Sequence, residues 1–375
     1  MEYKRELSNL KVAIVHDWLV GLGGAERVVQ SLLKLFPQAE LYTSVYDPEK
    51  IDIFKGRKVH TSFLQHWPLS RRKHQLFAKY RPLAFESFDL SGYDLVISSC
   101  SAESKGVITP TETMHISYIH TPIRYYWSGY DEYLANPGFG ALNPLVRAVM
   151  PGMVKKLRYW DYAAAQRPDF LVANSGVVKT RIKKYYKRDS VVINPPVEVD
   201  RFRKSNESGE YYLVVSRLVP YKRVDLAIEA CNELGKELVI AGKGPELKKL
   251  QKIAGKNVKF IENPTDAQIE DLYAGAKAFI FSAEEDFGIT PVEAMSAGLP
   301  VVCFGKAGAT ETVIDGKTGV YHDKQTKSSL IEAINKFESM SFNKDTIVKR
   351  AQEFSEEKFL TYFGGYVVEK QNQKT

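Results

Sequence analysis

The sequence predicts an α/β protein made of two doubly wound, Rossmann-like domains that face one another across a cleft. Three observations predict it. Short apolar, β-rich runs alternate with amphipathic stretches along nearly the whole chain, as expected for parallel strands covered by helices on both faces. The alternation stops once, at Asn194-Pro195-Pro196-Val197-Glu198-Val199-Asp200, where two prolines cannot continue a hydrogen-bonded ladder. It then restarts, and 375 residues is a length for two or three domains of roughly 150 residues each.

The first half opens with Lys11–Val15, which reads as a buried strand. Gly21-Leu22-Gly23-Gly24 breaks it, and Ala25–Phe36 then carries apolar residues at 28, 29, 32, 33 and 36, a helical spacing. Further strands are expected at Glu40–Val45, Asp94–Ser98, His115–His120, Phe170–Ala173 and Val191–Ile193. Helices are expected at Arg71–Tyr80, Leu145–Ala165 and Val177–Tyr186. In the second half the strands are Tyr211–Ser216, Glu237–Ala241, Val258–Ile261, Ala278–Ser282, Leu299–Phe304 and Gly319–His322. Between them lie helices at Val224–Leu234, Glu246–Ile253, Ala267–Ala274, Pro291–Ala297 and Ser328–Phe337. In such sheets a ligand is expected beyond the carboxyl ends of the strands, in the cleft between domains.

Composition narrows the class. Hydrophobic residues at 44% and charged residues at 26% are ordinary for a globular chain. Cys100, Cys231 and Cys303 are odd in number, far apart and free of C-x-x-C spacing, so neither a disulfide framework nor a zinc finger is indicated. The longest apolar candidate, Ala141–Val154, is interrupted by Pro144, Arg147 and Pro151, so a spanning helix is not expected. Met1–Lys11 has charges of both signs and no apolar core, and export by a signal peptide is not expected. A net charge of +7 permits an acidic partner: nucleic acid, a membrane surface or a phosphorylated small molecule.

Four segments can carry chemistry. After the first strand, His16-Asp17-Trp18-Leu19-Val20-Gly21-Leu22-Gly23-Gly24-Ala25-Glu26 is either a tight turn or a loop whose glycines let backbone N–H groups approach an anion. It is not G-x-G-x-x-G, because Glu26 stands at the third glycine position, although Asp47 lies at a tolerable distance for a ribose contact. In Ser282–Ala294, Gly288 and Pro291 forbid one continuous helix. Glu285 is therefore expected in a loop at a strand's carboxyl end, and Glu293 in the first turns of the next helix. Two carboxylates there suit paired sugar hydroxyls; acidic residues that merely complement a helix dipole are the plainer alternative. Ser216–Lys222 places Arg217 and Lys222 after a strand end, either as solvated cations or as a phosphate grip. His120 ends a strand before Thr121-Pro122-Ile123-Arg124. The dense aromatics Tyr125, Tyr126, Trp127, Tyr130 and Tyr133 follow, suited to stacking on sugars or bases. There is no H-E-x-x-H, no G-x-S-x-G, no P-loop and no D-x-D. If the site handles a diphosphate, protein cations must neutralise it, and Arg217 and Lys222 fit that need.

Together these segments resemble the family 4 branch of the retaining glycosyltransferases with the GT-B fold. The likeness rests on Glu285 and Glu293, seven residues apart, within EEDFGITPVEAMSAGLPVV, and on GGAERVV, IHTPIRYYW, VANSGVVKTRI, INPPVEVDRF, SRLVPYK and AGATETVIDGKTGV in that order. IHTPIRYYW is similar to bacterial mannosyltransferases of surface-polysaccharide assembly. The resemblance implies transfer of a hexose, best guessed as mannose from GDP-mannose, to a hydroxyl of a saccharide or lipid-linked acceptor. It implies retention of configuration and no metal or other cofactor. It implies that Arg217 and Lys222 hold the diphosphate and that Glu293 binds the ribose. Glu285 would contact sugar hydroxyls and His120 a hydroxyl near the reacting carbon. Gly23 and Gly24 would let the first domain close on the donor, and Phe287, Gly288, Ile289 and Thr290 would offer backbone N–H groups. Many relatives have Gly where this chain has Asp286; the spacing selects Glu285 over Glu284. The implied domains are 1–195 for the acceptor, 196–353 for the nucleotide sugar, and 354–375, a last helix crossing back to the first.

Two basic groups have no place in that scheme: Arg71-Arg72-Lys73 with Lys79 and Arg81, and Lys179, Arg181, Lys183, Lys184, Lys187 and Arg188. Each is either a solvated face or a contact with an anionic bilayer at the cytoplasmic side, helped at the first group by Trp67, Leu69, Leu76 and Phe77. The alternatives are a sugar-nucleotide epimerase of the same architecture and a non-enzymatic nucleic-acid-binding protein. The second lacks any recognition module in this pattern. A nicotinamide dehydrogenase is disfavoured by Glu26.

Overall fold

The computed structural model describes residues 3–135, 137–138, 140, 143–202 and 209–374. Of the sequence ranges above, residues 1, 2, 136, 139, 141, 142, 203–208 and 375 lie outside the described residues. The chain divides into two compact units, Met1–Asn194 with Phe359–Thr375, and Pro195–Lys358.

The first unit is built on one parallel sheet of β1 (Val12–His16), β2 (Glu40–Thr43), β3 (Val59–Thr61), β4 (Leu95–Cys100), β5 (Met114–Ile119), β6 (Phe170–Ala173) and β7 (Val191–Val192), in the order β3-β2-β1-β4-β5-β6-β7. β1 lies in register with β2 through Ile14 and Leu41, and with β4 through Val15 and Ser98. Strand order reverses at β1, which makes the carboxyl ends of β1 and β4 the place for a ligand. Helix Gly24–Leu35 follows β1 and buries Val28, Val29, Leu32 and Leu33 against Val12, Ile14 and Leu41. The last helix, Glu356–Lys374, closes the same core with Phe359, Phe363 and Val367, a stripe at four-residue spacing. Phe359 and Phe363 sit 5.9 and 6.3 Å from the ring of Tyr118. Each buried side chain of this size stabilises the unit by about 1.5–3 kcal/mol.

The second unit repeats the plan with β8 (Tyr211–Val215), β9 (Leu238–Ala241), β10 (Val258–Ile261), β11 (Ala276–Phe281), β12 (Val301–Phe304) and β13 (Gly319–His322), all parallel in the order β10-β9-β8-β11-β12-β13. Its reversal point lies between β8 and β11.

The structure corrects three local expectations. β3, three residues long, has too short a run to register as a strand. Arg71–Tyr80 is not one helix: it breaks into Ser70–Lys73 and a 3₁₀ turn His74–Phe77. The break comes where His74 turns inward to stack on Trp18, 4.4 Å between ring centres. Pro291 does not open its helix, which runs Ile289–Ser296 behind Gly288. The helix expected at Leu145–Ala165 is present as Asn143–Ala164 and runs through Pro151, which stands on its exposed side.

Candidate active site

In the second unit, the segment after β8 is shaped by the segment after β9. The Ser216 N–H donates to the Ala241 carbonyl at 3.0 Å, the Leu218 N–H to that of Lys243 at 2.8 Å, and the Glu246 N–H to that of Leu218 at 3.1 Å. This approach needs glycine at Gly242, with φ +147°, and at Gly244. A Cβ at these positions would overlap the carbonyl oxygens of Ser216 and Leu218. So held, the segment turns through Pro220–Lys222 into helix Val224–Leu234. Arg223 braces the turn by gripping Asp225, its Nε 3.1 and 3.2 Å from the two carboxylate oxygens.

Arg217 projects from this turn, exposed, and donates to the Tyr221 hydroxyl at 3.3 Å. Lys222 is mostly covered and its ammonium pairs with the carboxylate of Glu285; their side chains are 13% and 19% exposed. Glu285 comes from the segment after β11, so the two loops meet at the reversal point. The Glu285 carbonyl accepts from the Gly308 N–H at 2.8 Å. Gly308 lies so close to Phe287 that a side chain there would overlap the Phe287 backbone. Phe287 is buried against Phe354, 5.5 Å between rings, so only its backbone faces the loop. Gly288, at φ +83°, turns the chain into helix Ile289–Ser296. Ile289 and Thr290 form its first turn, where N–H groups have no intrahelical acceptor. Glu293 is half-buried and accepts from the Tyr273 hydroxyl at 3.2 Å. Burial first, and then the Glu293 charge, hold the Tyr273 phenol well above its ordinary pKa, so it stays a donor to that carboxylate. Glu284 is exposed; it is Glu285, the residue selected by spacing, that meets Lys222.

In the first unit, the equivalent edge is a buried polar network. Asp17, after β1, accepts from the backbone N–H groups of Ser101 at 2.6 Å, Ala102 at 2.9 Å and Ser104 at 2.8 Å, and so pins the segment after β4. Two buried ion pairs grip that segment: Arg81 with Glu103 at 3.1 Å, and Lys105 with Asp161 at 2.5 Å. His16 lies 3.5 Å from Glu26, and His120 lies 2.8 Å from the Ser99 hydroxyl. Gly23 is extended and Gly24 is the first residue of its helix, neither at positive φ; the Glu26 carboxylate already complements that helix end.

Several sequence-level assignments change. Arg81 is buried with Glu103 and leaves the basic surface. Arg188 is spent on the carbonyls of Ala165, Pro168 and Asp169. Of the aromatic run, Tyr126 is buried and donates to Glu103 at 3.0 Å, and Trp127 donates to Asp161 at 2.6 Å and stacks on Tyr185. Tyr133 remains exposed. The sequence reading missed His16, Asp17, Ser99, Glu103, Lys105 and Asp161 as a set. Among the described residues, no group of three or more His, Cys, Asp or Glu is placed to hold a metal ion.

Residues 198–357 match the family described as glycosyl transferases group 1. Over 351 residues the chain is 23% identical to an uncharacterised glycosyltransferase of Methanocaldococcus jannaschii, covering 92% of this chain and 93% of that one. It is 32% identical over 170 residues to a GDP-mannose-dependent alpha-(1-6)-phosphatidylinositol monomannoside mannosyltransferase of Mycolicibacterium smegmatis. That match spans 37% of this chain and 44% of the relative, less than half of either. Among solved structures, Anabaena HepE in complex with UDP and glucose superposes with a TM-score of 0.68 at 18% identity, covering 96% of this chain and all of that one. Sucrose-phosphate synthase from Thermosynechococcus elongatus gives 0.71 at 14% identity, covering 98% and 100%. The fold is that of the GT-B enzymes, two Rossmann-like domains with parallel sheets.

Proposed function

We propose that this glycosyltransferase, with its group 1 domain over residues 198–357, moves a hexose from a nucleotide diphosphate to a hydroxyl of a saccharide or lipid-linked saccharide. The anomeric configuration is retained and no metal takes part. The observation that carries this reading is the meeting of Lys222 and Glu285 at the carboxyl edge of β8 and β11, with Arg217 exposed on the same turn. A cation and a carboxylate held together suit a ligand that is anionic at one end and rich in hydroxyls at the other.

In this reading the donor belongs to the second unit and the acceptor to the first. As the bond from the anomeric carbon to the diphosphate oxygen breaks, the sugar gains oxocarbenium character and negative charge gathers on the phosphate. Arg217 and Lys222 stabilise that charge where it develops, which lowers the barrier rather than merely tightening binding. Glu285 and the N–H groups of Phe287, Gly288, Ile289 and Thr290 orient the sugar and phosphate. Glu293, anchored by Tyr273, takes the ribose hydroxyls. His120 contacts a sugar hydroxyl. The acceptor attacks from the face the diphosphate leaves, and the departing phosphate takes the acceptor's proton.

GDP-mannose is the assigned donor. The 32% identity to a GDP-mannose-dependent relative supports it over UDP-glucose, which the 18%-identical HepE binds. A thermal-shift panel of sugar nucleotides tests the assignment. GDP-mannose at 100 times its dissociation constant adds about 2.7 kcal/mol of stability. A panel in which UDP-sugars stabilise the protein and GDP-mannose is silent overturns the donor.

We place the enzyme's work at an anionic membrane surface on the cytoplasmic side. No helix among the described residues is long and apolar enough to cross a membrane. Arg71, Arg72, Lys73 and Lys79 are exposed beside Leu69 and Leu76, which are 58% and 47% exposed. Trp67 and Phe77 instead pack on each other at 5.3 Å, half-buried. Each cation near such a surface contributes about 1 kcal/mol. The protein is expected to sediment with anionic vesicles at low salt and to release as salt rises. Absence of sedimentation at low salt removes this placement.

A further inference from the structure

His120 follows β5 and is half-buried. Its Nε2 lies 2.8 Å from the hydroxyl of Ser99 on β4. Which of the two atoms donates is decided one step further along. His16, the last residue of β1, sets its Nδ1 3.0 Å from the Ser99 carbonyl oxygen and 3.2 Å from the Ser99 hydroxyl. A carbonyl oxygen can only accept, so His16 carries a proton on Nδ1. Its Nε2 faces the Glu26 carboxylate at 3.5 Å, another acceptor. Burial opposes a charge on His16, but the Glu26 carboxylate, then Asp17 and the Ser99 carbonyl, outweigh it and raise its pKa. With the Nδ1 proton of His16 directed at both oxygens of Ser99, the Ser99 hydroxyl has its own proton left for His120. His120 Nε2 then accepts, and the one proton of the neutral ring sits on Nδ1. Burial first, and then the neighbouring His16, push the His120 pKa down to about 3, so the ring is neutral.

We propose that Glu26, His16 and Ser99 form a relay that locks His120 in the Nδ1-protonated tautomer, so that it meets its ligand as a neutral hydrogen-bond donor and not as a base. Ser99 and His16 are positioning residues in this scheme. Its use in catalysis rests on the transferase reading above, in which His120 touches a sugar hydroxyl: a neutral donor binds the hydroxyl oxygen without removing its proton, which leaves the acceptor's proton to the departing phosphate. The tautomer itself follows from geometry inside the first unit.

The test is ¹⁵N NMR of the full chain labelled on histidine, at pH 7. The wild type is expected to show His120 with a protonated, pyrrole-type Nδ1 and an unprotonated Nε2. Ser99→Ala removes the donor to Nε2, and the His120 signals move towards the Nε2-protonated form that free imidazole side chains prefer. Ser99→Thr, which keeps the hydroxyl, restores the wild-type pattern. With a sugar nucleotide and acceptor, Ser99→Ala lowers kcat/KM by about tenfold, the worth of one hydrogen bond. A wild-type His120 protonated on Nε2, or an Nδ1-protonated His120 that persists in Ser99→Ala, overturns the relay. The expected NMR pattern in a protein that transfers no sugar supports the relay and sinks the transferase reading alone.

Discussion

Replacing Arg217 with alanine lowers turnover by about 10²–10³-fold while leaving the melting temperature unchanged. Its side chain is exposed and makes one long hydrogen bond, to the Tyr221 hydroxyl. Exposed substitutions of this kind move stability by no more than about 0.5 kcal/mol. Lys222→Ala has a comparable effect on turnover but a different signature. Lys222 and Glu285 are both mostly covered and paired, so its loss leaves a carboxylate without its cation in a half-buried loop. That variant loses both turnover and stability. Lys222→Arg does not restore activity, because a broad planar guanidinium cannot sit where a compact ammonium packs 5.5 Å from the ring of Tyr221 and 5.9 Å from that of Phe281. Steady-state kinetics and calorimetry on the three variants check this. Near-wild-type turnover in both Arg217→Ala and Lys222→Ala would sink the diphosphate assignment.

The contrast between the two units shows what a sequence makes legible. In the second unit the candidate site is written locally. Arg217 and Lys222 follow one strand, Glu285 and Glu293 follow another, and glycines and prolines mark the turns between. Gly242 and Gly244 belong to the same local signal, because two glycines just after a strand mark a close backbone approach. In the first unit the chemistry is assembled across distance. Asp17 finds its partners 84 to 87 residues away, Arg81 reaches Glu103 over 22 and Lys105 reaches Asp161 over 56. No local pattern announces such pairings, because a charged side chain reads as surface until its partner is known. Arg81 reads as part of the basic surface for that reason. Periodicity likewise placed nearly every strand, but it could not see β3, whose half-buried residues repeat no face, or the break at His74.

The largest loss of stability is expected from Lys105→Met. Its ammonium is 1% exposed and Asp161 is fully buried. Lys105 also donates to the Ala102 carbonyl at 2.8 Å, and the second Asp161 oxygen accepts from Trp127 at 2.6 Å and Tyr186 at 3.0 Å. Burial works against the charge on Lys105, but the facing carboxylate outweighs it and raises the lysine pKa well above its ordinary value. Removing the cation leaves the buried Asp161 carboxyl held only by neutral donors, a defect that costs about 3–5 kcal/mol. Removing both charges, as in Lys105→Met with Asp161→Leu, costs less than the sum of the two single changes, because no buried ion is left alone. Urea unfolding of the full chain followed by tryptophan fluorescence reads the effect, since Trp127 and Trp160 flank this region. A loss below about 1 kcal/mol in Lys105→Met would mean that the pair is not formed. The consequence reaches the chemistry. Lys105, Glu103 and Asp17 together fix the segment that follows β4, and Ser99 stands at the end of that strand beside His120. Lys105→Met is therefore expected to lower kcat more than it raises KM for the donor, at temperatures where the variant remains folded, because it loosens the support of His120, which the proposed mechanism uses for orientation.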